Sequence, residues 1–145
     1  MIALLQRVTQ ASVSVEKQQI ASMGKGLLVL IGIQPDDNEQ HISKILHKVV
    51  NYRIFEDKQE RMNLSLLDID GELILVPQFT LAADTRKGLR PGFSTAATPE
   101  KGEYLFGQLS ASAQQLYPKV QTGKFGANMQ VSLINDGPAT FWLQV

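Results

Sequence analysis

The chain has 145 residues, 43% hydrophobic and 19% charged, which predicts one globular domain over residues 1–145 with a substantial apolar core. Lysine plus arginine and aspartate plus glutamate both number 14, so any contact with nucleic acid has to come from a local patch of charge. The absence of cysteine excludes disulfides, thiolate metal sites and a cysteine nucleophile. No stretch approaches the roughly 20 apolar residues of a membrane span, and we expect a soluble, cytoplasmic protein.

The first part of the chain predicts three strands. Met1–Val8 and Ala11–Glu16 are interpreted as two strands joined by a short polar link. A turn at Met23–Gly26 leads into Leu27–Ile33, whose continuous apolar sequence is typical of a strand covered on both faces. We interpret this turn as a hairpin turn in which glycine supplies a positive φ, because the Gly-Lys-Ser/Thr ending of a phosphate loop is missing.

The next segment predicts a helix that begins at Asp36, with Glu39 three residues later as in a capping box. Its core-facing residues recur at helical spacing: Ile42, Ile45, Leu46, Val49 and Val50. His41 and His47 lie off this stripe and about 120° apart around the helix axis, so we expect surface histidines and no metal site.

A second helix is predicted to begin at Pro99, with Thr98 as its N-cap, and to end before Pro118. Its apolar side is formed by Leu105, Leu109, Ala113 and Leu116. Further strands are predicted at Tyr52–Phe55, Glu72–Leu81, Met129–Ile134 and Ala139–Val145. This order of elements predicts an α+β fold with a mostly antiparallel or mixed, barrel-like sheet and two main helices.

Gln78 and Thr80 are placed by this prediction at the end of an apolar strand, where polar groups are accessible. A threonine hydroxyl needs an adjacent base to act as a nucleophile, and none is evidently paired with Thr80 in the sequence; a backbone cap is the alternative. The Gln78 amide could orient a carbonyl or a ribose hydroxyl, or face water.

Gly137-Pro138 stands in an Asn-Asp-Gly-Pro sequence between two predicted strands. Turn formation alone explains this sequence. A cis X–Pro bond would give it a second use, because the backbone carbonyls would then form a rigid selector; such bonds are about 5–6% of X–Pro bonds.

Two further features could bind RNA. Arg86, Lys87 and Arg90 form a basic loop directly after the Gln78–Leu81 segment, and either contact phosphates or are simply solvated. Phe125 stands between two glycines and either stacks on a base or closes the core.

With these motifs in place, the chain resembles the D-aminoacyl-tRNA deacylase family along essentially its full length. The matching segments are Gln78–Leu81, Lys87–Pro91, Thr122–Ala127 and Asn135–Thr140, together with Arg7 near the N-terminus. The resemblance implies hydrolysis of the ester of D-aminoacyl-tRNA, and of glycine esterified to the wrong tRNA. It also implies a homodimer in which a cis Gly137-Pro138 enters the partner subunit's pocket and rejects L-aminoacyl esters.

The resemblance assigns roles to individual residues. Backbone amides around Phe79 and Thr80, next to Gln78, stabilise the developing oxyanion without a metal or cofactor. The groups implied to contact the terminal adenosine or the rest of the tRNA are Arg7, Arg86, Lys87, Arg90, Phe125 and Met129. Two residues depart from the family pattern: Pro77 replaces a usual serine, and Ala139 replaces a usual valine.

Three other functions stay open. A tRNA-binding dimer without catalysis would bind charged tRNA and leave its ester intact. An esterase for small D-amino-acid derivatives would use Thr80 as nucleophile and turn over without RNA. A purely structural dimer would do neither.

Overall fold

The computed structural model describes residues 1–145, which form eight strands, two α-helices and one 3₁₀ turn. The strands are β1 (Ile2–Val15), β2 (Gln18–Met23), β3 (Gly26–Gly32), β4 (Phe55–Glu56), β5 (Met62–Leu64), β6 (Glu72–Pro77), β7 (Val120–Thr122) and β8 (Met129–Gln144). The helices are α1 (Glu39–Asn51) and α2 (Pro99–Leu116), and the 3₁₀ turn is Phe79–Ala82. No helix is both long enough and apolar enough to cross a membrane.

One mixed sheet organises the chain. One edge of β1 pairs along its length with β8, and the other edge pairs with β3 and then with β2, all antiparallel. β3, β6 and β7 continue the sheet as parallel neighbours. Hydrogen bonds between Ser22 and the Gln121 amide bring β2 near β7, so the sheet nearly closes. The predicted α+β fold with a mixed, barrel-like sheet and two helices is confirmed.

The core has two parts, one on each face of the sheet. The larger part lies between the sheet and the two helices, and includes Leu5, Val29 and Leu75 from adjacent strands. The smaller part lies inside the curved sheet, where Val13 and Ala21 face Ile74. Because β3 and β6 contribute to both parts, their sequences are apolar without alternation, which confirms the prediction that β3 is covered on both faces.

The predicted strand pairs at both ends of the chain are each one long strand. β1 runs unbroken through the expected polar link, and β8 runs unbroken through the expected Asn-Asp-Gly-Pro turn. The pairing of β1 with β8 shifts register at Gln6/Val8 and again at Val8/Gln10. These shifts absorb the irregular residues as β-bulges, which is why turn-like sequences do not end either strand.

The hairpin prediction for Met23–Gly26 is wrong. β2 and β3 do not pair with each other, since β1 lies between them. Neither Gly24 nor Gly26 has a positive φ. Gly26 serves close packing, because a Cβ there would stand 1.9 Å from the Glu72 carbonyl oxygen.

The helix predictions are confirmed apart from one cap and one core residue. α1 begins two residues after the Asp36–Asp37 pair, with Asn38 as its N-cap and His41 completing the capping box. α2 has the predicted Thr98 cap, whose hydroxyl accepts from the Lys101 N–H. Leu116, predicted on the apolar side, is 54% exposed, whereas Phe106, which the prediction omitted, is buried.

The strand predicted over Glu72–Leu81 ends earlier, at Pro77. The next residues turn into the 3₁₀ segment, so Gln78 and Thr80 leave the plane of the sheet. The strand predicted at Tyr52–Phe55 is also displaced, to Phe55–Glu56. β2 and β7 were not predicted from the sequence. Strands of two to six residues are too short for a reliable period of alternating apolar and polar residues.

Candidate active site

Three parallel strands end at the same edge of the sheet, and the loops that follow them gather there. β3 ends at Gly32, β6 ends at Pro77 and β7 ends at Thr122. Loops at the carboxyl ends of parallel strands are the usual place for ligand sites in open α/β sheets. The Gln78–Leu81 and Thr122–Ala127 motifs both lie at this edge.

The Gln78–Thr80 segment forms a tight, solvent-facing turn. The Gln78 N–H donates to the Ile31 carbonyl at 2.7 Å, and the Gln78 side-chain amide donates to the Thr80 hydroxyl at 2.5 Å. Phe79 is 57% exposed. Phe79 and Thr80 begin the 3₁₀ turn, where N–H groups have no acceptor within the turn. The turn therefore presents backbone amides at an open surface.

The Thr80 hydroxyl has no base beside it. Its hydrogen-bond partner is the Gln78 amide, which cannot take a proton from it. The two histidines are on α1, where His41 caps the helix and His47 contacts Asn51. This geometry favours a structural hydroxyl that locks the turn.

Pro77, Gly123 and Met129 pack together beside the turn. A Cβ on Gly123 would lie 2.9 Å from the Met129 sulfur and 3.3 Å from Pro77 Cδ. The Met129 sulfur also accepts the Lys124 N–H at 3.3 Å. Met129 thus lies near the candidate site, and Pro77 forms part of the same wall.

Phe125 lies in the same loop but packs inward. Its ring is 6.4 Å from the Phe106 ring, centroid to centroid, and it covers Gly102 of α2. The ring remains partly exposed. The ring therefore closes the core, which is one of the two interpretations of the sequence, and it leaves one side accessible to solvent.

Gly137 and Pro138 lie in a large bulge of β8. Gln6 pairs with Thr140 and Val8 with Asn135, so residues 136–139 stand opposite the single residue Arg7. Gly137 and Pro138 are both exposed. The peptide bond between them is cis, as the resemblance implies.

Arg7 lies under this bulge and is only 5% exposed. Its Nε donates to the Asp136 carbonyl at 3.1 Å, and one Nη donates to the Ile54 carbonyl at 2.7 Å. Asp136 and Glu56 carboxylates lie 3.4 and 3.9 Å from the guanidinium. This geometry fits a residue that positions the bulge better than one that contacts RNA directly.

Asn135 and Thr140 are site residues for which the sequence suggested no separate role. The Asn135 side-chain amide donates to the carbonyls of Arg7 and Ala139, both at 3.0 Å, and its oxygen accepts from the Thr140 hydroxyl at 3.1 Å. They tie the two ends of the bulge together. Their presence in one motif with Gly137-Pro138 was the signal that could have suggested this.

The basic loop is held by an ion pair within it. The Arg86 guanidinium donates to both oxygens of Asp84 at 2.8 Å, and the Arg86 N–H donates to the same carboxylate at 3.1 Å. These hydrogen bonds hold the pKa of Asp84 far below its usual range. Arg86 is therefore partly neutralised, whereas Lys87 and Arg90 are exposed with no ion pair or hydrogen bond.

The two main motifs do not meet within one chain. Arg7, opposite Gly137-Pro138, is level with Leu27, whereas Pro77 is level with Ile31. Four residues along a strand are about 13 Å, and the path from β8 to β6 crosses three strand spacings of about 4.8 Å each. A single subunit thus has an open amide turn at one place and an exposed Gly-Pro bulge at another.

A model of the D-Tyr-tRNA(Tyr) deacylase family matches residues 4–144. The chain belongs to this family. A protein of Pseudomonas aeruginosa named D-aminoacyl-tRNA deacylase is 56% identical over 144 residues, which are 99% of each chain. One of Legionella pneumophila with the same name is 54% identical over the same coverage. The resemblance seen in the motifs is confirmed.

Two solved structures share the whole fold of this chain. One, titled c-Myc DNA Unwinding Element Binding Protein, is 37% identical with a TM-score of 0.95 and covers 100% of this chain and 99% of its own. Another, titled as a probable eukaryotic D-amino acid tRNA deacylase, has a TM-score of 0.84 at 16% identity and 98% coverage of both chains. The second likeness concerns the fold alone.

Proposed function

We propose that this protein hydrolyses the ester bond of D-aminoacyl-tRNA, and of glycine on the wrong tRNA, releasing the amino acid and free tRNA. The observation that carries the proposal is the exposed 3₁₀ turn, which begins at Phe79 and presents backbone amides. The Thr80 hydroxyl beside them has no general base as its hydrogen-bond partner. Membership of the deacylase family supplies the substrate class.

The chemistry suits such a site. An aminoacyl ester is already activated, so its hydrolysis requires a positioned water and stabilisation of the oxyanion that forms on the carbonyl. The N–H groups of Phe79 and Thr80 supply that stabilisation, and Gln78 holds the turn in shape. The ribose 2′-hydroxyl of the substrate assists the attacking water.

Chirality is selected by exclusion. The exposed Gly137-Pro138 segment occupies the space that an L side chain would need, while a D side chain points away from it. Rejection by backbone atoms tolerates many D side chains, because no pocket has to match each of them. Ala139 is buried behind the selector and is only 4% exposed. The alanine that replaces the family's usual valine therefore does not lie on the exposed surface of the selector.

A homodimer completes the site. Within one chain the selector and the amide turn are separated, and a second copy bringing its Gly137-Pro138 to the turn resolves this. An apolar strip of cross-strand neighbours on the open sheet face, formed by Trp142, Leu4 and Leu30, is available for the contact. Trp142 is 51% exposed, as expected of a side chain at a subunit interface.

The terminal adenosine binds near the Thr122–Ala127 loop. Met129 and the accessible side of Phe125 flank the adenine, and Lys87 and Arg90 contact phosphates, so binding weakens as salt increases. Because the substrate is charged tRNA, we place the protein in the cytoplasm.

The test is deacylation of D-tyrosyl-tRNA and L-tyrosyl-tRNA by the purified protein, with chelator and RNase controls. Loss of the D-ester alone is the expected result. Binding of charged tRNA without loss of either ester would support a non-catalytic RNA-binding dimer instead.

The threonine-nucleophile esterase is separated by a second measurement. Thr80→Val should retain most of the deacylase rate, because the backbone amide remains. A complete loss of turnover in Thr80→Val, together with RNA-independent cleavage of small D-amino-acid esters, would favour the esterase.

A further inference from the structure

The segment Asp84–Gly92, here called the basic loop, is a closed and preformed structure. Its neck is a pair of backbone hydrogen bonds between Asp84 and Gly92, with N···O distances of 2.7 and 2.9 Å. The bidentate contact of Arg86 with Asp84 adds a side-chain clasp directly inside the neck. A loop closed in this way loses little further conformational freedom when it binds.

The tip of the basic loop combines two free cations with one exposed aliphatic side chain. Lys87 and Arg90 carry no ion pair, whereas the charge of Arg86 is compensated by Asp84. Leu89 stands between them and is fully exposed. Gly88 has a φ of +72°, and this turn of the backbone presents the tip to solvent.

The loop is fixed beside the amide turn. Phe93, directly after the neck, packs against Phe79 with ring centroids 5.1 Å apart. The Thr95 hydroxyl also donates to the Ala82 carbonyl at 2.6 Å, which ties the returning chain to the end of the 3₁₀ turn. A substrate whose ester lies at Phe79 therefore extends past this loop.

We infer that the basic loop binds the single-stranded 3′ segment of the substrate RNA immediately upstream of its terminal adenosine. Lys87 and Arg90 neutralise two backbone phosphates, and Leu89 packs on the face of a base or ribose between them. A lone exposed leucine is ordinary on a protein surface. Here it alternates with unpaired cations, which matches the alternation of apolar base face and phosphate along a nucleic acid strand. This inference rests on the proposed function, which places the terminal adenosine at the turn.

The test compares two substrates of different length. Wild-type protein, Leu89→Ala and the double variant Lys87→Ala/Arg90→Ala are assayed on D-tyrosyl-tRNA and on D-tyrosyl-adenosine, which lacks the upstream nucleotides. We expect the ratio of kcat/KM on tRNA to kcat/KM on the adenosine ester to fall roughly three- to tenfold in Leu89→Ala. In the double variant, the slope of log affinity against log salt should become shallower by about 1.4, because each single-strand phosphate contact contributes about 0.7.

Matched controls remove the same groups elsewhere. Lys44→Ala deletes an exposed cation of α1, and Leu116→Ala deletes an exposed leucine at the end of α2. Both should keep the wild-type substrate ratio and salt slope. Equal ratios in Leu89→Ala and Leu116→Ala would overturn the assignment of Leu89.

A binding measurement separates this inference from the proposed function. Fluorescence anisotropy of an uncharged RNA minihelix ending in the single-stranded 3′ segment reports the loop contact without chemistry. If the wild-type protein cleaves neither ester, and the double variant binds the minihelix more weakly than the wild type does, the proposed function fails and the loop inference stands. If both esters are cleaved and the double variant binds the minihelix as wild type does, the loop inference alone fails.

Discussion

Arg7 connects parts of the chain that lie far apart in the sequence. Its guanidinium reaches the Ile54 carbonyl on one side and the Asp136 carbonyl and carboxylate on the other, while remaining almost fully buried. A planar fork can make these contacts together, and an ammonium cannot reproduce their geometry. Arg7 is thus a positioning residue for the Gly-Pro bulge.

We predict that Arg7→Lys reduces the ratio of D- to L-ester hydrolysis, because the bulge loses its fixed support. Loss of hydrogen bonds from a buried charged group should also lower the free energy of unfolding by about 1.5–3 kcal/mol. Deacylation of paired D- and L-tyrosyl-tRNA and urea unfolding measure the two effects. Arg53→Lys, on an exposed arginine, is the control, and an unchanged D/L ratio in Arg7→Lys would contradict the positioning role.

The Phe79 N–H can be tested apart from the Phe79 ring. Proline is tolerated at the first position of a helical turn, and the preceding Gln78, with φ −143° and ψ 81°, lies outside the α region that a following proline disfavours. Phe79→Ala removes the ring and keeps the amide, whereas Phe79→Pro removes both. We predict that kcat is about 10²–10³-fold lower in Phe79→Pro than in Phe79→Ala, the usual effect of losing one oxyanion donor. Similar kcat values for the two variants would mean that this amide does not stabilise the oxyanion.

At the scale of elements, the parallel pairing of β3 with β6 depends on a close backbone approach. Gly26 starts β3 beside Glu72 at the start of β6, and there is no room for a side chain between them. The same pairing sets the register in which Ile31 lies beside Pro77, and hence where the amide turn begins. The position of the turn is therefore linked to a glycine at the far end of the strand.

Substitution of two glycines should have opposite effects on stability. Gly26→Ala would force the strands apart, and we predict a loss of about 3 kcal/mol or more in the free energy of unfolding. Gly107→Ala lies on the exposed face of α2 with nothing within 4 Å, and should gain about 0.5–1 kcal/mol from helix propensity. Urea unfolding measures both; a Gly26→Ala protein within 1 kcal/mol of wild type would contradict the close-packing argument.

At the scale of the whole molecule, the amide turn and the Gly-Pro bulge lie apart on one chain. The amide turn faces solvent at the carboxyl edge of the parallel strands, and the selector bulge protrudes from β8. The homodimer that we propose, with twofold symmetry, would make two complete sites at once, because each contact would occur twice. In that proposed dimer, the open sheet face with Trp142 would form part of the interface.

Mixed dimers test whether the selector acts on the partner subunit. Pro138→Ala dimers should cleave both D- and L-esters, and Phe79→Pro dimers should cleave both far more slowly. Mixing Pro138→Ala with excess Phe79→Pro chains should suppress L-ester cleavage while D-ester cleavage persists, because the Phe79→Pro chain supplies an intact selector in trans. A Phe79→Pro/Pro138→Ala chain is the matched control and should leave L-ester cleavage in place. Equal L-ester cleavage in the two mixtures would show that the selector acts within its own chain.

Local sequence signals determined the helices and the fold class. Thr98, Pro99 and Pro118 mark the ends of α2 through side-chain and ring chemistry that acts within a few residues. The apolar stripe of α1 likewise predicted the buried side of that helix. The four motifs in order, together with Arg7 near the N-terminus, indicated the family.

Only the tertiary structure decided how the strands and site residues are arranged. The expected polar link after Val8 and the turn-like sequence around Gly137 became bulges because the pairing of β1 with β8 continues before and after each irregular segment. The roles of Arg7 and Asn135 depend on partners that lie up to 129 residues away in the sequence. The role of Asp84 depends on the closed conformation of its loop, which no local sequence pattern predicts. Hydrogen-bond partners brought together by folding leave no local pattern, whereas caps and hydrophobic periodicity do.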